Sequence, residues 1–372
     1  MLSQADTHRY SRQILLPEFG AEGQSKLLNA SVLVIGAGGL GSPALLYLAA
    51  AGVGRLGIID FDNIDLSNLQ RQVLFTTIDI GKPKAQIASD KVKAINPSIK
   101  TDVYIEHLNS INALQILAQY DVLVDGSDNL ATRYLVNDAC ILLKKPLVYG
   151  AVFQFEGQVS VFNQLLPDGT RGPSYRDLFA VPPPPEMVPS CSEGGVLGVL
   201  PGIIGTMQAS EAIKIILGIG TTLTGRLLLF DGLDFTMRTV NIRKHPANPI
   251  ITKLIDYDAF CNPSKQNAVP EISVHELKGM MVLKKEFQLI DVRELNEAEL
   301  VSLNGVNIPL KTLPNQLASI RKDVPVIVHC KSGSRSASAV RTLQANGFTN
   351  VKNLSGGILK WIEEIDPSLQ RY

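Results

Sequence analysis

The sequence has few aromatic residues, few cysteines and no excess of either charge. Aromatic residues make up 6% of the 372 positions, there are four cysteines, and Lys plus Arg equals Asp plus Glu at 35 each. Balanced charge creates no overall field for a polyanion, so we expect no nucleic-acid partner and no anionic membrane partner. Cys140, Cys191, Cys261 and Cys330 show no close pairing, which argues against a disulfide framework and a Cys-x-x-Cys metal knuckle.

The sequence also lacks a long uninterrupted apolar run. Its most apolar stretch, 194–220, contains Pro201, Glu211 and Lys214, and we interpret it as a loop followed by one buried helix. Residues 1–6 show no basic and then apolar signal pattern. Together with unpaired cysteines, this predicts a cytoplasmic location and no membrane association.

Strand-like and helix-like segments alternate along most of the chain. Alternation of this kind predicts an α/β fold with a mostly parallel sheet and ligands at the carboxyl ends of the strands. We predict a first domain over 1–245, a linker over 246–270, and a smaller α/β domain over 271–372. Within the first domain, the proline-rich stretch 164–190 is predicted to be a long loop. The predicted strands are 32–36, 56–60, 102–108, 122–125, 146–150, an antiparallel 157–162, 227–231, 234–243, 288–292, 326–330 and 351–354.

A glycine-rich turn follows the first predicted strand. Residues 32–35 are apolar and β-prone, and Gly36, Gly38 and Gly41, with Gly39 between them, form a Gly-x-Gly-x-x-Gly pattern before a helix. Such a turn lets backbone N–H groups approach a nucleotide phosphate, and Asp60 at the next strand end is placed to bind a ribose. By itself this pattern is most often found with NAD or FAD, and a purely structural turn is also possible.

Polar groups that suit a triphosphate follow Asp60. Arg71 and Lys84 can neutralise phosphate charge, Asn68 can donate to it, and Asp128 can hold Mg²⁺. A dehydrogenase has no use for these groups. The candidate nucleotide-binding residues are Gly36, Gly38, Gly39, Gly41, Asp60, Ser67, Asn68, Leu69, Gln70, Arg71, Lys84, Asp128 and Asn129.

At these residues, and at 9–13, the chain resembles the ubiquitin-activating-enzyme-like adenylyltransferases of the MoeB/ThiF type. The resemblance covers roughly 5–245 and implies a Rossmann-like ATP-binding domain that adenylates the C-terminal Gly-Gly of a ubiquitin-like sulfur carrier. It implies ATP and Mg²⁺ as cofactors, with Arg71, Lys84 and Asp128 as catalytic residues. It further implies a homodimer in which Arg12 of one subunit acts as an arginine finger in the other.

Two cysteine features of that family concern this chain. Many members bind a structural zinc through two Cys-x-x-Cys pairs, but here 174–177 and the region around 247–249 lack thiols, so we predict no structural zinc. Cys191 lies where the family places a cysteine that can bond to the activated carrier. The alternative interpretation of Cys191 is a buried cysteine that packs as a small apolar side chain.

A second thiol site is predicted in the smaller domain. Cys330, Lys331, Ser332, Gly333, Ser334 and Arg335 form a loop between a strand and a helix. Inward-pointing N–H groups, two cations and the helix N-terminus would favour a thiolate there. The loop, together with 291–293, 356–358 and Trp361, resembles rhodanese sulfurtransferases, which carry a persulfide on this cysteine. A cysteine phosphatase is the chemical alternative, although its loop is usually longer.

Together, the two resemblances imply adenylation of a MoaD- or ThiS-type carrier and sulfur transfer from a Cys330 persulfide to form a thiocarboxylate. The expected sulfur donor is a cysteine desulfurase or thiosulfate. The sequence leaves open whether molybdopterin, thiamine, thiolated tRNA or cysteine synthesis is served. Two alternatives are a non-catalytic carrier-binding scaffold and an NAD-dependent oxidoreductase.

Overall fold

The computed structural model describes residues 2–183, 194–261 and 269–372. The chain forms two compact units, Met1–Asn262 and Pro263–Tyr372, which we call the first and second unit. The domain boundaries at 245 and 271 stay predictions. Part of the predicted linker belongs to the first unit. It contains the helix Tyr257–Cys261, and the Tyr257 hydroxyl donates to Asp138 Oδ2 at 2.8 Å.

The first unit is built on an eight-stranded sheet of order β3-β2-β1-β4-β5-β6-β7-β8. Strands β1 to β5 are parallel, and β6, β7 and β8 continue the sheet in antiparallel fashion, which confirms the antiparallel prediction for 157–162. The strands are β1 Ser31–Ile35, β2 Arg55–Ile59, β3 Lys100–Tyr104, β4 Val122–Asp125, β5 Leu147–Phe153, β6 Glu156–Phe162, β7 Arg226–Asp231 and β8 Thr236–Asn241.

Helices cover both faces of this sheet because its central strands are apolar on both sides. Val32 and Val34 of β1 belong to one buried cluster, and Leu33 and Ile35 belong to another. The described helices are α1 Gln4–Arg9, α2 Ser11–Ile14, α3 Gly20–Asn29, α4 Gly41–Ala51, α5 Lys84–Ile95, α6 Ala113–Leu117, α7 Leu130–Leu143, α8 Tyr175–Leu178, α9 Val199–Leu217 and α10 Tyr257–Cys261, with short 3-10 helices at Leu66–Asn68 and Thr77–Asp79. Helix α9 is the buried helix predicted within 194–220.

Two local predictions for the first unit were wrong. The third strand was predicted at 102–108 but lies at Lys100–Tyr104, because the chain leaves the sheet edge after Tyr104 and Asn112 Nδ2 donates to the His107 carbonyl. The predicted loop 164–190 contains α8, which the Ser174 side chain caps together with Asp177. Capping and the burial of two α8 side chains stabilise a helix too short to recognise from periodicity.

The second unit contains a five-stranded parallel sheet of order β11-β10-β12-β13-β9. Buried clusters lie on both faces, one including Val328 and Val340, the other Ile327 and Trp361. The strands are β9 Glu271–Ile272, β10 Gln288–Asp291, β11 Val306–Asn307, β12 Val326–His329 and β13 Val351–Leu354; the helices are α11 Val274–Val282, α12 Leu295–Leu300, α13 Ser334–Ala345 and α14 Gly357–Glu364, with 3-10 helices at Leu313–Asn315 and Leu317–Ser319.

Candidate active sites

The glycine-rich turn joins β1 to α4 at the carboxyl end of the sheet. Gly36 has a φ of 85°, in the left-handed region that glycine adopts without strain. A Cβ on Gly41 would lie 1.8 Å from the Gly36 carbonyl oxygen, so the helix can begin this close to the strand only with glycine. Gly36, Gly38 and Gly39 line a cleft, whereas Gly41 is buried and is not among the residues that line it.

Asp60, at the end of β2, fixes the same turn. Its Oδ2 accepts from the Ala37 N–H at 2.8 Å, and its Oδ1 accepts from the Asp62 N–H at 2.9 Å. Burial raises the pKa of this carboxyl, although nearby Lys84 and the two N–H groups oppose the shift. Asp60 therefore holds the turn in place as well as lining the cleft.

Lys84 opens α5, and its side chain is only 7% exposed. Its ammonium forms an ion pair with Asp62, with 2.8 Å between Nζ and Oδ2. Both residues line the cleft. Sequence analysis predicted the cation but did not single out Asp62, which restrains it.

The predicted segment 67–71 is only partly at the cleft. Arg71 lines it, and Arg71 Nη1 donates to the Ser67 carbonyl at 3.0 Å. The backbone there is set by the 3-10 helix Leu66–Asn68, whose N-terminus the Asp65 side chain caps. The cleft lining does not include four predicted residues of this segment, Ser67, Asn68, Leu69 and Gln70.

The end of β4 supplies the opposite wall, where Asp128 and Asn129 line the cleft as predicted. Asp125 is buried; its Oδ1 accepts from Ser127, and its Oδ2 has no hydrogen-bond partner among the described residues. Burial raises the pKa of Asp125, Arg133 opposes the shift, and the nearby Asp128 charge adds to it. Asp128 contributes a carboxylate to the cleft, a ligand type that Mg²⁺ prefers, whereas Asp125 is not among the residues that line the cleft.

The residues at the cleft that are absent from the list predicted from the sequence include Phe61, Gln72, His107 and Arg133. Arg133 on α7 lines the cleft and donates from Nη2 to the Ser127 carbonyl at 3.1 Å. Gln72 lies 4% exposed beside Gly38, and its Oε1 has no partner in the described part of the chain. Phe61 stacks on His107 with ring centroids 3.3 Å apart. Gln72 directly follows the predicted segment 67–71, and Phe61 directly follows Asp60.

Arg12 does not line the cleft of its own chain. It is an exposed residue on α2, and the segment around it is firmly attached. Buried Tyr10 accepts from Asn96 Nδ2 at 2.8 Å, and Gln13 Nε2 donates to the Ala51 carbonyl at 2.8 Å. The neighbours of Arg12 therefore anchor the segment and leave its guanidinium exposed.

Cys191 lies outside the described residues. Hydrogen bonds join 174–177 to the region around 247–249, the two segments where many members of the resembling family bind zinc through cysteines. Asp177 Oδ1 accepts from the His245 N–H and from Asn248 Nδ2, both at 2.8 Å. These bonds join the two segments that a zinc ion would join in the resembling proteins; the absence of structural zinc stays a prediction.

Cys330 follows β12 and is fully buried in the turn before α13. Its Sγ accepts from the Gly333 N–H at 3.2 Å and from Ser336 Oγ at 3.4 Å. A Cβ on Gly357 would meet the Cys330 carbonyl oxygen at 2.6 Å, which explains a glycine where α14 begins against the loop. One backbone N–H and one hydroxyl therefore donate to the sulfur, and the full anion nest around a thiolate stays a prediction.

Charged residues brace this loop. Arg335 Nη1 and Nη2 lie 2.6 and 2.8 Å from the two carboxylate oxygens of Glu297. Burial tends to raise the pKa of Glu297, but the Arg335 bonds outweigh it, so the pKa is lowered. Arg293 is fully buried, and its side chain donates three hydrogen bonds to the Asp291 carboxylate, with Nη2 2.6 Å from Oδ2.

Comparisons with known proteins agree with the two family resemblances of the sequence. The ThiF family pattern matches residues 10–250, and the rhodanese-like domain pattern matches residues 273–364. The chain therefore belongs to the ThiF family of α/β proteins and has a rhodanese-like domain after the ThiF region.

Relatives of nearly full length share both regions. The chain is 47% identical, over 100% of its length and 96% of the relative, to a Mycobacterium tuberculosis protein named "Probable adenylyltransferase/sulfurtransferase MoeZ". It is 43% identical to the "Adenylyltransferase and sulfurtransferase MOCS3" of Arabidopsis thaliana, covering 100% of this chain and 86% of that one. A Thermus thermophilus "Sulfur carrier protein adenylyltransferase" is 53% identical over 68% of this chain and 96% of its own. The chain is accordingly an adenylyltransferase and sulfurtransferase.

The fold of the first unit also occurs in solved structures. Escherichia coli MccB with MccA-N7isoASN has a TM-score of 0.58 and 23% identity, covering 66% of this chain and 75% of that chain. This similarity supports the mostly parallel α/β architecture alone. Across 2–183, 194–261 and 269–372, no helix combines the length and apolar character needed to cross a membrane.

Proposed function

We propose that the first unit adenylates the C-terminal Gly-Gly carboxylate of a ubiquitin-like sulfur carrier of the MoaD or ThiS type. The main support for this proposal is that Arg71, Lys84 and Asp128 line one cleft at the carboxyl ends of the parallel strands. Attack of a carboxylate on the α-phosphate brings two anions together, so catalysis depends on positioning and charge compensation. The name of the Thermus thermophilus relative supports a sulfur carrier protein as the substrate.

Each group has a defined task in this proposal. The glycine turn and Asp60 hold the adenosine side of ATP, whereas Arg71 and Lys84 bind its phosphates. Asp128 would hold Mg²⁺, and its place in the lining of the cleft supports this role. Bound Mg²⁺ neutralises phosphate charge. The carboxylate forms a bond to the α-phosphorus as pyrophosphate leaves.

Arg12 is proposed to act in the cleft of a second copy in a homodimer. Its exposure, its anchored neighbours and its absence from the lining of its own cleft support this role. An arginine supplied by another subunit can neutralise charge that develops on the phosphates.

The second unit is proposed to supply sulfur. The Cys330 thiolate attacks the sulfane sulfur of a cysteine desulfurase persulfide or of thiosulfate; the sulfur–sulfur bond of the donor breaks, and the desulfurase thiolate or sulfite leaves. The resulting persulfide attacks the acyl-adenylate carbon, AMP leaves, and the carrier is joined to Cys330 by an acyl disulfide. Exchange with the Cys191 thiolate moves this acyl disulfide to Cys191, and a thiol reductant releases the carrier thiocarboxylate. We propose that this takes place in the cytoplasm.

ATP–pyrophosphate exchange with candidate Gly-Gly carriers tests the first step. We expect Asp128→Ala to abolish exchange and Cys330→Ala to retain it, because only the first residue serves adenylation. Asp234→Ala provides a matched control, since this exposed aspartate lies in the turn between β7 and β8, away from the cleft. Exchange that survives Asp128→Ala would contradict the assigned role, and carrier binding without exchange would favour a scaffold.

A further inference from the structure

The side chain of Tyr372 packs against the loop that contains Cys330. Its ring centroid lies 4.7 Å from Lys331 Nζ, and Lys331 directly follows Cys330. Its hydroxyl oxygen accepts from Arg293 Nη1 at 2.5 Å, and the Arg293 guanidinium carbon lies 5.5 Å from the ring centroid. One aromatic side chain therefore contacts two cations from different elements.

Tyr372 also connects to the other end of the loop. Its hydroxyl donates to Glu297 Oε1 at 3.5 Å, and Glu297 binds Arg335 through two short hydrogen bonds. Burial raises the pKa of Tyr372, so the hydroxyl keeps its proton at neutral pH. Arg293 is itself fixed by Asp291 and by the Val301 carbonyl, 2.7 Å from Nη2. The Tyr372 side chain thus contacts an arginine that is itself held by two hydrogen-bond partners.

We propose that Tyr372 is a positioning residue for sulfur loading of Cys330. Its ring keeps Lys331 in place, and its hydroxyl steadies the Glu297–Arg335 pair, so both loop cations are held ready for an anionic sulfur donor. This inference rests on the proposed role of Cys330 as the sulfur-bearing residue.

Thiosulfate serves as the probe donor and cyanide as the acceptor. The Cys330 thiolate attacks the sulfane sulfur; the sulfur–sulfur bond of thiosulfate breaks, and sulfite leaves with the bonding pair. Cyanide then removes the outer sulfur as thiocyanate and regenerates the thiolate. Thiosulfate carries two negative charges, so misplaced loop cations should weaken its binding more than they slow the chemistry.

In the full chain, we expect Tyr372→Leu to raise the KM for thiosulfate by about three- to fivefold, the effect of losing one partly exposed cation–π contact. We expect kcat to stay within about twofold, because Cys330 and its N–H donors are untouched. Tyr372→Phe keeps the ring over Lys331 but loses the hydroxyl contact to Glu297, so its KM should lie between those of the parent and Tyr372→Leu. A purely structural role would instead lower kcat or the folded fraction without this split.

Two lysine variants complete the test: Lys331→Met removes the proposed contact, and Lys322→Met is its matched control. Lys331→Met should raise the KM as Tyr372→Leu does, and adding Tyr372→Leu to it should change the KM little further. Lys322 lies at the same 4.7 Å from the Phe348 ring, elsewhere in the second unit, so Lys322→Met should leave both constants unchanged. Trp361 fluorescence during urea unfolding checks that each variant is folded.

Cys330→Ala separates the two proposals. If it still converts thiosulfate, the proposed function of Cys330 fails. If it is inactive while Tyr372→Leu has the parent KM, the positioning role of Tyr372 is overturned and the function of Cys330 stands. A KM that rises equally in Tyr372→Leu and Tyr372→Phe would overturn the contribution assigned to the ring.

Discussion

His329, the residue before Cys330, makes the stability of the second unit depend on pH. Its side chain is fully buried at the end of β12, and neither ring nitrogen has a hydrogen-bond partner among the described residues. Burial lowers the pKa of His329 to about 4, although Asp291, with Oδ2 3.9 Å from Nε2, partly opposes the shift. Asp291 helps little because Arg293 already neutralises it.

The sign of the effect follows from the two pKa values. The unfolded chain protonates this histidine below about pH 6.5, whereas the folded unit resists protonation until about pH 4. Stability from the neutral imidazole is therefore complete above pH 6.5 and is lost as pH falls from 6.5 to 4. Between pH 7 and pH 5 the loss amounts to roughly 2 kcal/mol.

The chain contains one tryptophan, Trp361, and it is buried in the second unit. Its fluorescence therefore reports unfolding of that unit without contribution from tryptophan elsewhere. We would measure urea unfolding at pH 7 and pH 5 for the parent and for His329→Leu, which has a similar volume and needs no hydrogen bonds. The parent should lose about 2 kcal/mol more than the variant over this interval.

Carboxyl groups that titrate in the same range affect the parent and His329→Leu alike, so the difference between them isolates the imidazole. Equal pH dependence in the two proteins would refute the reasoning. A parent that becomes relatively more stable at pH 5 would mean that His329 is protonated with a partner in the folded state.

Two further predictions concern the first unit. Arg176→Leu leaves buried Asp138 without its cation, 2.7 Å away, and should cost about 3–5 kcal/mol of stability by calorimetry. Adding Asp138→Leu should recover part of this loss, and no recovery would contradict the ion-pair argument. Gly41→Ala places a Cβ against the Gly36 carbonyl and should abolish ATP–pyrophosphate exchange. Gly202→Ala, which meets nothing within 4 Å, should retain exchange; equal rates in the two variants would contradict the role of the turn.

Most of the fold was predictable because its strands are short apolar runs between glycines, prolines and acidic residues. The strand predicted at 122–125 has those bounds in the structure. Failures occurred where tertiary contacts override local pattern. Helix α8 depends on a cap and on the buried pair of Arg176 with Asp138, which lies 38 positions earlier.

The site residues also fall into two groups, those that a spacing pattern indicates and those that it does not. Residues in fixed spacings, such as the glycines and the Cys330 loop, could be recognised because backbone geometry demands those residue types. Arg133, Asp62 and Tyr372 could not, since each acquires its place only when distant segments meet. Asp62 restrains Lys84 across 22 positions, and Tyr372 reaches Arg293 across 79.

The central claim is that adenylation and sulfur transfer occur in sequence on one carrier. Mass spectrometry of a Gly-Gly carrier incubated with the full chain, ATP, Mg²⁺, thiosulfate and a thiol reductant tests it most directly. We expect the parent to convert the carrier carboxylate to a thiocarboxylate, and we expect Cys330→Ala to stop after adenylation. Thiocarboxylate formed by Cys330→Ala at the parent rate would contradict the account.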